Sequence, residues 1–188
     1  MRIVVGIAGA SGAVYAVRLL EVLREIRDIE THVTMTGSAL KNLQLELNYG
    51  LKDIKKIANK VYDNEDVGAA IASGSFPANG MVVVPCSMKA LAGISTGFTD
   101  NLLLRSADVT IKEGRRMVIV PRETPLSIIH LENMLKLAKI PNITVLPAMP
   151  AFYHKPKNMD GLVNHIVGKI LDQMAIEWPK ALFDRWGI

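Results

Sequence analysis

The chain has 188 residues, of which 49% are apolar and 21% charged, with 14 glycines and 9 prolines. That balance disfavours disorder, collagen-like repeats and coiled coil, and a single domain over 1–188 is long enough to bury roughly 70% of the surface its unfolded chain exposes. Subtracting 18 acidic from 22 basic side chains leaves +4, too modest for a nucleic-acid partner without a clustered patch, and aromatics for base stacking reach only 5%.

A single cysteine, Cys86, cannot form an internal disulfide, and the opening MRIVVGIAGASG reaches glycine too soon to supply the apolar core of a signal peptide. No window approaches the roughly 18 apolar residues of a membrane helix, so a cytoplasmic protein with no membrane association is expected. The mean hydropathy of +0.23 is high for a monomer and fits buried subunit interfaces.

Arg2 to Ala8 is a largely β-branched run ending at glycine, which predicts a strand buried on both faces and hence a parallel sheet. Ser11 to Arg27 follows with the three-and-four apolar spacing of an amphipathic helix. Strands are then predicted over 31–36, 80–85, 116–121 and 143–147, and helices over 38–47, 87–94, 101–113, 127–138 and 160–174. The alternation predicts a doubly wound α/β sheet. Residues 51–75 carry turn signals at Asp63-Asn64-Glu65-Asp66 and Gly74-Ser75-Phe76, and no regular element is assigned there.

Four clusters could carry chemistry. Gly9-Ala10-Ser11-Gly12 sits between the first strand and first helix, where small residues permit close approach and a helix N-terminus favours an anion. Its spacing meets neither the dinucleotide fingerprint nor the P-loop, and Ser11 could equally serve as a helix N-cap. Pro85-Cys86-Ser87-Met88-Lys89 follows the most apolar strand and therefore lies at the ligand-binding edge of such a sheet. Met88 could face a flat ring or fill a core gap, and Cys86, with no histidine paired to it, reads as an inert buried thiol.

Arg105 and Lys112 are seven residues apart on one predicted helix, and Arg122-Glu123 lie between prolines just past a strand, so a phosphate site could be assembled from them. Arg115 and Arg116 read as solvated surface. Tyr153, in Pro150-Ala151-Phe152-Tyr153-His154, offers a ring face and a hydroxyl, and Lys169 a point charge, although a packed tyrosine and a solvated lysine fit as well. The four histidines lack metal-ligand spacing, and Asp63 to Asp66 reads as a solvated turn, so no metal is expected. A hydrolase elbow would need a glycine that Gly9-Ala10-Ser11-Gly12 does not supply.

GASG at 9–12, SGSF at 73–76, VVVPCSMKALAGI at 82–94, NLLLRSADVTIKEGRR at 101–116, PRETPLSIIHLENM at 121–134 and PAFYHKP at 150–156 occur in order along almost the whole chain. Together they strongly resemble the UbiX/Pad flavin prenyltransferases. The resemblance implies a flavodoxin-like Rossmann fold in a homododecamer with sites at subunit interfaces. It also implies transfer of a dimethylallyl group from dimethylallyl phosphate to N5 and C6 of reduced FMN, for use by UbiD-type decarboxylases.

By the same resemblance, Gly9, Ala10, Ser11, Thr36, Ser87, Met88, Lys89, Ala90 and Arg122 contact FMN, while Arg105, Lys112, Glu123, Tyr153 and Lys169 hold the prenyl phosphate. Glu46 is the counterpart of an acid on the second helix, and Trp186, rather than Trp178, of a C-terminal tryptophan. Ser11, Glu46, Glu123 and Trp186 thus enter as catalytic candidates. The family often shows serine at the position of Thr36 and arginine at that of Lys169, so the hydroxyl and the charge are kept but the arginine fork is lost. Two competing readings are an FMN-dependent cysteine decarboxylase, which would require a histidine that 51–79 does not contain, and a non-catalytic FMN carrier.

Overall fold

In the computed structural model, which describes residues 1–178 and 182–185, the first strand sets the architecture. β1 (Arg2–Ile7) divides its side chains by the period of two: Ile3, Val5 and Ile7 enter one apolar cluster, Val4 and the following Ala8 the other. Only a strand covered on both sides can do this. Its neighbours behave alike, with Val82 and Val84 of β4 (Gly80–Cys86) on the first face and Met81 and Val83 on the second.

The sheet is wholly parallel, with strand order β3-β2-β1-β4-β5-β6. The remaining strands are β2 (Glu30–Met35), β3 (Lys60–Tyr62), β5 (Arg116–Pro121) and β6 (Ile143–Val145). This is the Rossmann order; without the three-residue β3 it reduces to the flavodoxin order, so the expected fold class holds under both names. The direction of winding reverses between β1 and β4. A crevice is expected at the carboxyl ends of those two strands, where ligands of open α/β sheets bind.

α1 (Ala13–Glu25), α2 (Gly37–Leu47), α3 (Leu51–Ile57) and α7 (Met159–Met174) bury their apolar stripes in the first cluster. α4 (Met88–Thr96), α5 (Leu102–Lys112) and α6 (Ile128–Ala138) bury theirs in the second. Gly6 faces α5, where a Cβ would come within 3.0 Å of Leu103 Cγ. A bare backbone there lets α5 lie close to the sheet.

Residues 51–75 are more regular than their turn signals suggested. They form α3, β3 and a 3-10 turn at Ala70–Ala72. The reading of Asp63 to Asp66 as a purely solvated turn also needs correction, because Asn64 is buried. Its Oδ1 accepts from Thr34 Oγ1 at 3.2 Å and from the Leu103 amide at 3.2 Å, and its carbonyl accepts from the Leu102 amide at 2.8 Å. Asp63 and Asp66 each accept an amide within the turn itself. One asparagine thus ties the start of α5 to β2, which spacing alone could not show.

Candidate functional site

The chain's small-residue turns converge at the carboxyl edge beside β1 and β4. A Cβ on Gly9 would sit 2.3 Å from Ser38 Cβ, so only glycine lets the β1–α1 turn rest on the first turn of α2. Gly12 precedes α1 with φ of +106°, a conformation that other residues adopt only under strain. The expectation that Ser11 caps α1 fails here: Gly12 occupies the cap position and Ser11 is exposed. The capping acceptor is Glu46 of α2. Its carboxylate accepts from the Gly12 amide at 3.0 Å and the Ala13 amide at 2.8 Å, placing a negative charge on the positive end of α1.

The starts of α2, α4 and α5 are capped by the side chains that precede them. Thr36 Oγ1 accepts from the Ala39 amide at 3.1 Å, Ser87 Oγ from Ala90 at 3.3 Å, and Asn101 Oδ1 from Leu104 at 3.0 Å. The N-termini of α2, α4 and α5 line one cavity of about 190 Å³, with Gly9, Thr36, Ser38, Ser87, Lys89 and Ala90 among its walls. Three positive helix ends and a lysine make it a place for an anion. Pockets for ligands of drug size usually measure roughly 300–1,000 Å³, so this cavity is one part of a site rather than a whole one.

Arg122 stands just past β5 at the same edge, its amide donating to the Cys86 carbonyl at 3.2 Å. Burial raises the pKa of the Tyr15 phenol on α1, and the charge of Arg122 pulls against that shift. Beside it Glu123 accepts from the Thr124 amide at 2.9 Å and is exposed. Burial pushes the Cys86 thiol up to about 12, so the thiolate that a nucleophile needs does not form near neutral pH.

A second group of expected residues lies elsewhere in the chain. Arg105 is in the first turn of α5, paired with Asp108 at 2.7 Å, but Lys112 ends that helix, about 10 Å further along it at 1.5 Å per residue, and pairs with Glu113. Lys169 is similarly far along α7, 3.9 Å from Asp172, and that helix ends at Met174, which packs against Gly80 at the amino end of β4. One chain therefore does not gather Lys112 and Lys169 at its own carboxyl edge. Tyr153 lies on a loop folded back along α7, where its neighbour His154 stacks on His165, four residues before Lys169. The SGSF segment also lies away from the cavity: the Gly74 carbonyl accepts from Arg115 at 2.6 Å, and Phe76 packs edge-on to His32. Arg115 is thus an anchor rather than free surface. Trp186 lies outside the described residues.

A wider concavity, about 760 Å³, lies at the C-terminal end of α7 between Asp172 and Arg185. It is at the opposite edge of the sheet from the helix N-termini and has none of their donors, so the smaller cavity is the better chemical candidate. Sequence reading missed Ser38, Asn101, Leu103 and Leu104 as wall residues. Asn101 before an apolar run was a legible cap signal, whereas the Gly9–Ser38 contact joins residues whose proximity only the fold creates.

Residues 1–171 match the family model described as Flavoprotein. Flavin prenyltransferase LpdB of Lactiplantibacillus plantarum is 57% identical over 175 residues, covering 93% of each chain. A dodecameric FMN-dependent UbiX-like decarboxylase from Escherichia coli O157:H7 superposes with a TM-score of 0.95 at 47% identity, with complete coverage of both chains. AnUbiX, solved in complex with FMN and dimethylallyl pyrophosphate, superposes at 0.94 with 42% identity, over 100% of this chain and 97% of that one. With its parallel sheet, its crevice of helix N-termini and these relatives, the chain belongs to the flavoprotein family, in the branch of the flavin prenyltransferases.

Proposed function

We propose that this chain, as a single flavoprotein domain over 1–188, transfers a dimethylallyl group to N5 and C6 of reduced FMN and releases prenylated FMN to a UbiD-type decarboxylase. The observation that carries the reading is the convergence of three capped helix N-termini on one cavity that Gly9 and Ser38 help to line. The donors of these helix ends fit a phosphate. Gly9, Ala10, Ser11, Thr36, Ser87, Met88, Lys89, Ala90 and Arg122 are the residues we assign to FMN. A cytoplasmic location accords with Cys86 being a lone buried thiol.

Reduced FMN supplies the nucleophile. The chain's part is to neutralise the departing phosphate and to take up protons. Breaking the allylic C–O bond puts charge on the leaving phosphate, and Arg105, Lys112, Lys169 and the Tyr153 hydroxyl would receive it as fixed donors. The same bond breaking leaves an allyl cation, whose path π-faces and the flavin can line. Glu46 is the proton acceptor we assign, standing at the GASG turn with its carboxylate on the α1 amides. No group of three or more potential metal-binding side chains occurs among the described residues.

The distance of Lys112 and Lys169 from their own chain's cavity implies that the phosphate clamp completes the cavity of another subunit. An exposed apolar row, comprising Leu126 before α6 and Ile128, Ile129, Leu131 and Leu135 on it, supports assembly, as does the dodecamer formed by the E. coli relative. The reading is tested by mixing the purified chain with dithionite-reduced FMN and dimethylallyl phosphate in excess EDTA. A flavin heavier by one dimethylallyl group is expected, and unmodified FMN would overturn the reading. A parallel arm with dimethylallyl diphosphate establishes which leaving group is used, since AnUbiX was solved with the diphosphate.

A further inference from the structure

We propose that His154 and His165 are positioning residues for the leaving-phosphate end of the site, an imidazole stack that holds Tyr153 in place relative to Lys169. The proposal rests on the assignment of Tyr153 and Lys169 to the prenyl phosphate. The two residues lie on different elements: Tyr153 belongs to the loop between β6 and α7, which lacks helix or strand, and Lys169 belongs to α7. Something must fix one relative to the other before both can engage one phosphate.

The stack supplies that link. The rings of His154 and His165 lie nearly parallel, with centroids 5.1 Å apart and 13° between planes. His154 follows Tyr153 directly and meets its ring edge-on at 5.9 Å. His165 precedes Lys169 by four residues, so both project from one face of α7. A long contact of 3.5 Å from the Ala151 amide to His165 Nδ1 ties the loop to the helix a second time.

The C-terminal segment closes over this stack. Phe183 meets His165 edge-on at 4.9 Å and His154 at 6.4 Å. It can do so because residue 168 is glycine: a Cβ there would stand 2.4 Å from Phe183 Cε1. Arg185 fastens the segment through Asp172 at 2.7 Å, its guanidinium lying 5.1 Å from the centre of the Trp178 ring.

We assign His154 its role through the ring contacts. Both of its ring nitrogens are buried and neither has a hydrogen-bond partner. What the structure shows His154 touching are rings, those of Tyr153, His165 and Phe183. A plain aromatic ring should therefore replace it, and that expectation separates stacking from acid–base chemistry.

The test uses the full chain with His154→Ala and His154→Phe. In His154→Ala the KM for dimethylallyl phosphate should rise by about tenfold or more, while the Kd for FMN and the kcat at saturation stay within about twofold. His154→Phe should restore the KM. A KM unmoved by His154→Ala would overturn the proposal, as would an equal loss of FMN binding or a folded His154→Phe that fails to rescue. Amide hydrogen exchange reads the platform without activity. Residues 151–155 should exchange faster in His154→Ala and the 9–12 turn should not, and unchanged exchange at 151–155 would overturn the stack's role. Accelerated exchange in a chain whose wild type does not prenylate FMN would instead remove the functional reading.

Discussion

At the scale of single residues, the account depends on side chains whose partners the sequence could not reveal. Glu46 was legible as an acid on the second helix, but its contact with the Gly12 and Ala13 amides was not, because the two ends of that contact are more than thirty residues apart. Both roles bear on Glu46→Gln. The variant keeps an oxygen for the amides and loses the charge, so FMN binding should persist, turnover should fall at least about tenfold, and stability should drop by about 0.5–1 kcal/mol, as for a weakened helix-end interaction. Stopped-flow kinetics and urea unfolding measure the two effects, and unaltered turnover would remove Glu46 from the chemistry. Cys86 gives a contrasting case. Its thiol is pushed up to about 12, so iodoacetamide at pH 8 should leave the folded chain unmodified and label it only after denaturation. Labelling of native protein would contradict its burial.

At the scale of elements, strong periodicity was readable and weak periodicity was not. The strands over 80–85 and 116–121 and the major helices follow from apolar runs and three-and-four spacing. α3 and β3 were hidden because Leu51 to Tyr62 is short, charged and partly exposed, so burial leaves little pattern in it. Ser11 failed as the α1 cap for a related reason: Gly12 takes a backbone conformation that shifts the helix start by one residue. The position of Lys112 was misleading in another way. A seven-residue spacing from Arg105 sets a shared face, yet it also separates the two by about two turns.

Two predictions belong to these elements. Asn64→Ala leaves the Leu103 amide and the Thr34 hydroxyl without their acceptor, so unfolding free energy should fall by about 1–3 kcal/mol, read by chemical denaturation. A loss near zero would mean that the start of α5 is held by other contacts. His32 on β2 is 3% exposed, with Nδ1 2.9 Å from the Tyr62 hydroxyl and Nε2 facing Glu30 Oε1 at 3.1 Å in poor hydrogen-bond geometry. Burial holds its pKa below the ordinary 6.5, although Glu30 pulls the other way. The unfolded chain then takes up the proton first, so stability is complete above about 6.5 and declines as pH falls through the depressed folded value, with a slope of at most about 1.4 kcal/mol per pH unit from this group. His32→Gln should flatten the urea midpoint between pH 6.5 and 5.5, and an unchanged slope would assign the acid sensitivity to other groups, of which His165, similarly depressed by burial, is the next to test.

At the scale of the whole molecule, the residues we assign to FMN gather at one edge of the sheet, whereas Lys112 and Lys169, which we assign to the phosphate, stand well down α5 and α7. The family resemblance implied sites at subunit interfaces, but not which residues of one chain stand too far from its own cavity to complete it. Their separation follows from the place of Met174 against Gly80 and of the N-termini of α2, α4 and α5 around one cavity. The central claim is that a working site joins the cavity of one chain to the clamp of another, and complementation tests it most directly. Gly9→Val forces the β1–α1 turn off Ser38 and so distorts the cavity wall, Lys169→Ala removes a clamp charge, and each alone should lose most of its prenylation of reduced FMN. Co-expressed with separate tags and purified through both, the two variants should regain a substantial share of wild-type activity, because some interfaces then pair an intact cavity with an intact clamp. Mixed oligomers no more active than the sum of the two separate variants would place both halves within one chain and contradict the account.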